Sequence, residues 1–283
     1  MPSSRRCTSP KVVSSIKAGE AGQSAAARAQ LSIKRLLSRS SLIAGAALIV
    51  AATLAWRWLA TSGMPAMGGH DMGTMTVEPW SADYLLPAFT MWAVMMVAMM
   101  LPSAAPMILL HARIDRAPTE TRGLAHTLLF SMAYLLVWAA FSAAAALAQA
   151  LLIDLGVVSA ASLSLGDRAV AAGVLAVAAL YQLSPAKAAC LDQCRSPIHF
   201  VMRYWSPGGA GALRLGLVHG LYCVGCCWAL MLLLFVAGVM NLAWVALIAA
   251  IVFLEKAAPP QWQASKLIAA LLLMGAIGLV AIR

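Results

Sequence analysis

Seven runs of roughly twenty apolar residues, near 40–60, 84–110, 123–153, 167–184, 213–237, 241–257 and 265–282, leave this 283-residue chain few folds to choose from. A run of that length is what a helix needs to cross the hydrocarbon of a bilayer. Closed barrels also cross membranes, but their strands alternate apolar and polar residues over about ten positions, and these runs are uninterrupted. The expected fold is all-α: a polytopic membrane bundle of about seven transmembrane helices. Composition agrees. Charged residues make up 11% of the chain, against about 25% in a soluble domain.

A net charge of +10 suggests nucleic acid until its placement is read. The basic residues cluster before the first run, after the second, in and beside the loop after the fourth, and after the sixth. With the N-terminus in the cytoplasm, every Lys and Arg except Arg57, Arg168 and Arg283 falls on the cytoplasmic side. The positive-inside rule then fixes N-terminus in and C-terminus out, and removes the case for nucleic acid. Four parts follow: a basic, disordered tail over 1–39, a membrane anchor over 40–60, an extracytoplasmic loop over 61–83, and a six-helix membrane core over 84–283.

Sulfur dominates the chemistry. In LRLGLVHGLYCVGCCWALMLLLFVAG, the residues His219, Cys223, Cys226 and Cys227 fall within about a quarter turn of one helix face. A single buried Cys is usually a small hydrophobe. Three sulfurs and an imidazole on one face at bilayer depth point instead to a soft metal or to redox chemistry. The second run contains MWAVMMVAMMLPSAAPM, in which Met91, Met95 and Met99 stack at i, i+4 and i+8, with Met96 and Met100 on a second stripe. Such a stripe alone is ordinary core packing, but Met95 and Met99 sit at the depth of the Cys cluster. Pro102 and Pro106 remove backbone donors and should kink this helix. Gly216 and Gly220 form a small-residue face that lets a neighbour approach closely. If that neighbour is the second run, thiols and thioethers meet.

Two further groups lie outside the spans. The loop TSGMPAMGGHDMGTMTVEPW carries Met64, Met67, His70, Met72 and Met75, with Asp71, on a glycine-rich segment. Thioether and imidazole favour copper over hard cations, and thioether survives in an oxidising compartment. On the other side, SPAKAACLDQCRSPIHF places Cys190 and Cys194 at i, i+4, with Lys187, Asp192 and His199 nearby. These thiols should stay reduced in the cytoplasm, and the full four-ligand pattern of a zinc site is absent. Glu255 and Lys256 end the sixth run, where charged side chains ordinarily anchor at the interface. Glu255 has an alternative: to point inward and pair with Lys187 or Arg195. His111 and His126 read as interface residues.

The sequence MWAVMMVAMMLPSAAPM, followed by ACLDQCRSP, HGLYCVGCCWALMLLLFVAGVMN and LEK, resembles a bacterial family of predicted metal-binding integral membrane proteins, over about residues 84–258. The resemblance implies metal binding and a helical membrane core. The expected protein is a multi-pass component of the bacterial inner membrane that handles or delivers a transition metal. Cu(I) is favoured by the sulfur ligands and Zn is second. Its partners would be the lipid bilayer, the metal ion and a metal-handling protein. The candidate ligands are His219, Cys223, Cys226, Cys227, Met91, Met95, Met99, Cys190, Cys194, His70, Met67 and Met72. A membrane thiol–disulfide oxidoreductase using Cys223-x-x-Cys226, and a structural subunit of a membrane complex, are the competing readings. No catalytic constellation or nucleotide-binding loop is present in the sequence.

Overall fold

The computed structural model describes residues 39–62, 78–115, 119–160 and 162–281. All regular structure among them is helical, in the order α1 (Arg39–Ser62), α2 (Ala82–Ile114), α3 (Glu120–Asp154), α4 (Arg168–Gln182), α5 (Pro185–Arg195), α6 (Pro197–Tyr204), α7 (Gly208–Leu232), α8 (Leu234–Ala237), α9 (Leu242–Ala257) and α10 (Ala264–Ala281), with a 3-10 turn at Pro260–Trp262. Five segments are long and apolar enough to cross a membrane: Ser41–Thr61, Ala82–Ile114, Thr121–Asp154, Gly208–Ala237 and Ala264–Ala281. A sixth is added if α4 and α5, bent by 65° at their junction, make one span. The expected run near 241–257 is the helix α9, which is apolar but only 16 residues long.

Local signals explain where helices begin. Thr119 caps α3 by accepting from Arg122 N, Asp167 caps α4 through Ala169 N and Val170 N, and Asn241 caps α9 through Trp244 N. Each side chain satisfies an amide that the first turn leaves without a partner.

Pro102 and Pro106 lie inside α2 without ending it. Pro102 has no N–H to give the carbonyl four residues back, and that carbonyl, Ala98 O, instead accepts the indole Nε1 of Trp56 at 3.2 Å. The vacated acceptor thus ties α1 to α2. Farther out, Gln149 of α3 accepts from Trp92 Nε1 at 2.8 Å and donates to the Tyr84 hydroxyl at 2.6 Å. Interhelical bonds of this kind in apolar surroundings contribute about 0.6–2 kcal/mol each.

The tightest pairing is α3 on α7, and glycine makes it. A Cβ on Gly216 would stand 2.2 Å from the carbonyl oxygen of Phe130, and one on Gly220 would stand 2.9 Å from Val137. The small face expected on α7 is real, but its neighbour is α3 and not the second run. Spacing along one helix specifies close approach without specifying to whom. Because Gly216 meets Phe130 and Gly220 meets Val137, α3 and α7 run parallel.

Candidate metal centre

The segment expected as a loop after the fourth span is two helices, and the first builds half of the site. Ser184 caps α5 by accepting from Lys187 N, with Pro185 in the first turn, where its missing N–H costs nothing. The bend between α4 and α5 lays α5 along α7. Tyr181, just before it, donates to the carbonyl of Gly225, the residue between the α7 cysteines. The two helices are close at Gly225, where a Cβ would stand 2.9 Å from Cys190 Sγ. Cys194, one turn on, lies beside both Cys223 and Cys226. Sulfurs from two separate stretches of sequence therefore meet.

A buried ion pair holds α5 in place. Lys187 Nζ lies 2.7 Å from Glu255 Oε2 of α9, with the side chains 1% and 2% exposed. Ser265 donates to the other carboxylate oxygen at 2.6 Å, and Arg195 Nε donates to the Glu255 backbone carbonyl at 2.8 Å. Glu255 is thus directed inward and paired with Lys187, not anchored at an interface.

On α7, Cys223, Cys226 and Cys227 are all at or below 1% exposure, and His219 is 4% exposed. The sequence's quarter-turn face is the buried face. Lys256 departs most from expectation. Its Nζ donates to Cys223 Sγ at 2.9 Å and to Ser103 Oγ at 3.0 Å, so it extends into the bundle and does not snorkel outward. The helix supplies the reason, because Cα–Cβ bonds tilt toward the N-terminus and Lys256 lies in the last turn. Its stem is directed back along α9, and its ammonium finds sulfur. The Tyr134 hydroxyl stands 3.1 Å from the same sulfur and donates to Met100 O at 3.2 Å, which links α2, α3 and α7.

Buried aromatic rings stack beside the cluster. His111 stacks on Phe130 at 5.2 Å, Phe130 on His219 at 6.1 Å, and His219 on Tyr134 at 5.6 Å. His111 is 1% exposed and lies 3.3 Å from Thr127 Oγ1. It is an interior residue, contrary to its expected interfacial place. His126 is only partly buried and pairs with Asp115 at 2.7 Å.

A cavity of about 310 Å³ opens beside this cluster, with Ser103, Met107, Cys194, Arg195, His219 and Lys256 in its lining. A smaller cleft of about 20 Å³, room for a single water, is lined by Met91, Met95, Leu59 and Met240. The methionine stripe is therefore divided: Met91 and Met95 line their own cleft, while Met99, 2% exposed, packs in the core. The outer-loop candidates Met64, Met67, His70, Met72 and Met75 lie outside the described residues.

The donor set suits a soft cation, yet it is not arranged around one. Among the described residues no three His, Cys, Asp or Glu side chains converge as metal ligands. The side-chain hydrogen bonds give the cause. Cys226 and Cys227 both donate to the Cys223 carbonyl, at 3.1 and 2.9 Å, which directs their sulfurs along the helix. Rotation about χ1 would release them. All five described cysteines are free thiols. The sequence reading missed Lys256, Tyr134 and Ser103 as members of the site. Only Lys256 left a signal, as a cation closing an apolar run.

No curated protein and no solved structure matches the chain. A family model does, over residues 89–279, a range that takes in α3 to α9 whole and every cysteine of the cluster. By that match the chain belongs to the PpoB2 family, described as copper chaperone.

Proposed function

We propose that this protein is a multi-pass copper-handling protein of the bacterial inner membrane, with its N-terminus in the cytoplasm and seven crossings in which α4 with α5, and the short α9, each count as one. Its cargo is Cu(I), held on the thiols of Cys194, Cys223, Cys226 and Cys227 and passed to a metal-handling partner protein. The observation that carries this reading is the meeting of Cys194 from α5 with Cys223 and Cys226 from α7. The family description supplies copper as the cargo. Soft sulfur ligands select Cu(I) over harder ions, with Zn second.

Charge explains why Lys256 belongs to the site. Two thiolates around Cu(I) carry one net negative charge, which is costly to bury in an apolar bundle. The Lys256 ammonium, 2.9 Å from Cys223 Sγ, cancels it. His219, whose buried Nδ1 has no hydrogen-bond partner among the described residues, and Met107 also line the cavity.

Replacing Cys223 and Cys226 together by Ser should abolish most copper binding while the protein remains inserted. The measurement is metal content of the purified protein beside a count of free thiols. Unchanged copper in the double variant would overturn the site. A Cys223–Cys226 disulfide found without metal would move the function to thiol–disulfide exchange.

A further inference from the structure

The cavity beside the cysteines is equipped for an anion as well as for a metal. Three nitrogen-bearing side chains line it, Arg195, His219 and Lys256, and no Asp or Glu does among the described residues. Two of them have polar atoms that nothing engages. Arg195 Nη2 and His219 Nδ1 are both buried and lack a hydrogen-bond partner among the described residues. Arg195 is fixed by its Nε bond to the Glu255 carbonyl, and the Glu255 carboxylate is already taken by Lys187 and Ser265. A guanidinium anchored through Nε with Nη2 still unpartnered keeps N–H groups suited to a carboxylate. An unpaired buried donor is costly to leave so, and that cost is recovered when a ligand arrives. The volume, about 310 Å³, admits a small organic molecule and not merely a bare ion.

We infer that copper enters this cavity as the Cu(I) complex of a small thiol bearing carboxylates, with Arg195 holding a carboxylate while Cys194 takes the metal. This rests on the reading of the cysteine cluster as a Cu(I) site. The step is a ligand exchange without redox change. The bond from Cu(I) to the carrier's sulfur breaks, the bond from Cu(I) to Cys194 Sγ forms, and the Cys194 proton passes to the departing carrier thiolate. Copper stays Cu(I) throughout. Cys194 is the thiol for this step because it lines the cavity and lies beside Cys223 and Cys226, the next sulfurs inward.

The test supplies the purified full-length protein with Cu(I) from two donors at equal free Cu(I): its glutathione complex, which carries carboxylates, and its 2-mercaptoethanol complex, which is uncharged. Loading is followed through the ultraviolet sulfur-to-copper absorption. The wild-type protein should load about tenfold faster from the glutathione complex, the gain expected of one charge-assisted contact. Arg195→Gln should load from both donors at the same rate, and Arg195→Lys should keep part of the preference. Equal wild-type rates from the two donors, or a preference that survives in Arg195→Gln, would overturn the inference while leaving the copper site standing. Copper uptake from neither donor would remove the site itself and the inference with it.

Discussion

Lys256 and Cys223 are joined by a 2.9 Å hydrogen bond between an ammonium and a sulfur, made across the packing of α9 against α7. A cation is thus already in place where a buried anion would form. Lys256→Met keeps the length of the side chain and removes the charge. It should weaken Cu(I) binding by about 10–100-fold, since hydrogen bonds to charged groups contribute about 1.5–3 kcal/mol. Lys256→Arg should retain most of the affinity. Competition against a colourimetric Cu(I) chelator measures both, and wild-type affinity in Lys256→Met would show that the lysine does not compensate the site's charge.

The pair Lys187–Glu255 should behave differently, as a clasp and not as part of the metal site. Both side chains are almost fully buried, so removing one partner leaves the other charge unpaired. Glu255→Gln is expected to destabilise the protein by about 3–5 kcal/mol, seen as a lowered Tm in detergent. Replacing both, Lys187→Met with Glu255→Leu, should recover much of that loss. A double variant as unstable as the single one would mean that the contacts of Glu255 with Ser265 and Arg195 matter more than its pairing with Lys187.

Much of this was legible along single helices and little of it between them. His219, Cys223, Cys226 and Cys227 share a buried face because helical geometry puts them there, and the sequence is sufficient to see it. The meeting of Cys194 with Cys223 depends on the bend between Gln182 and Pro185, a tertiary matter that hydropathy does not register. The direction of Lys256 was recoverable from the tilt of helical side chains, but its target was not. Met95 and Met99 read as neighbours of the cysteines because depth alone was compared, whereas Met95 shares a cleft with Met91. Their cleft instead faces Leu59 and Met240.

Gly216 offers a test of the α3–α7 contact that leaves every sulfur untouched. A methyl group there would stand 2.2 Å from a backbone oxygen, which cannot rotate away. Gly216→Ala should therefore force the helices apart and lower Tm. Gly173→Ala, where a Cβ meets nothing within 4 Å, should be neutral or slightly stabilising through helix propensity. Equal behaviour of the two variants would indicate that α3 and α7 do not pack so closely.

The proposed orientation can be tested at Ser196, between α5 and α6, which is exposed and caps no amide with its side chain. Cys190 is a poor reporter because it packs against the core, and Cys194 because it belongs to the metal site. Ser196→Cys in a background whose native cysteines are replaced by Ser places one accessible thiol on the side that carries most of the basic residues. A membrane-impermeant maleimide should label it in inverted vesicles and not in intact cells with a permeabilised outer membrane. Arg57 and Arg168, at the opposite side in this arrangement, provide the converse: Thr61→Cys, exposed near the end of α1, should label from outside. Labelling of both positions from outside would contradict the three crossings, an odd number, between them. A reversed pattern would place the N-terminus outside and make the cavity beside Cys194 an extracytoplasmic opening.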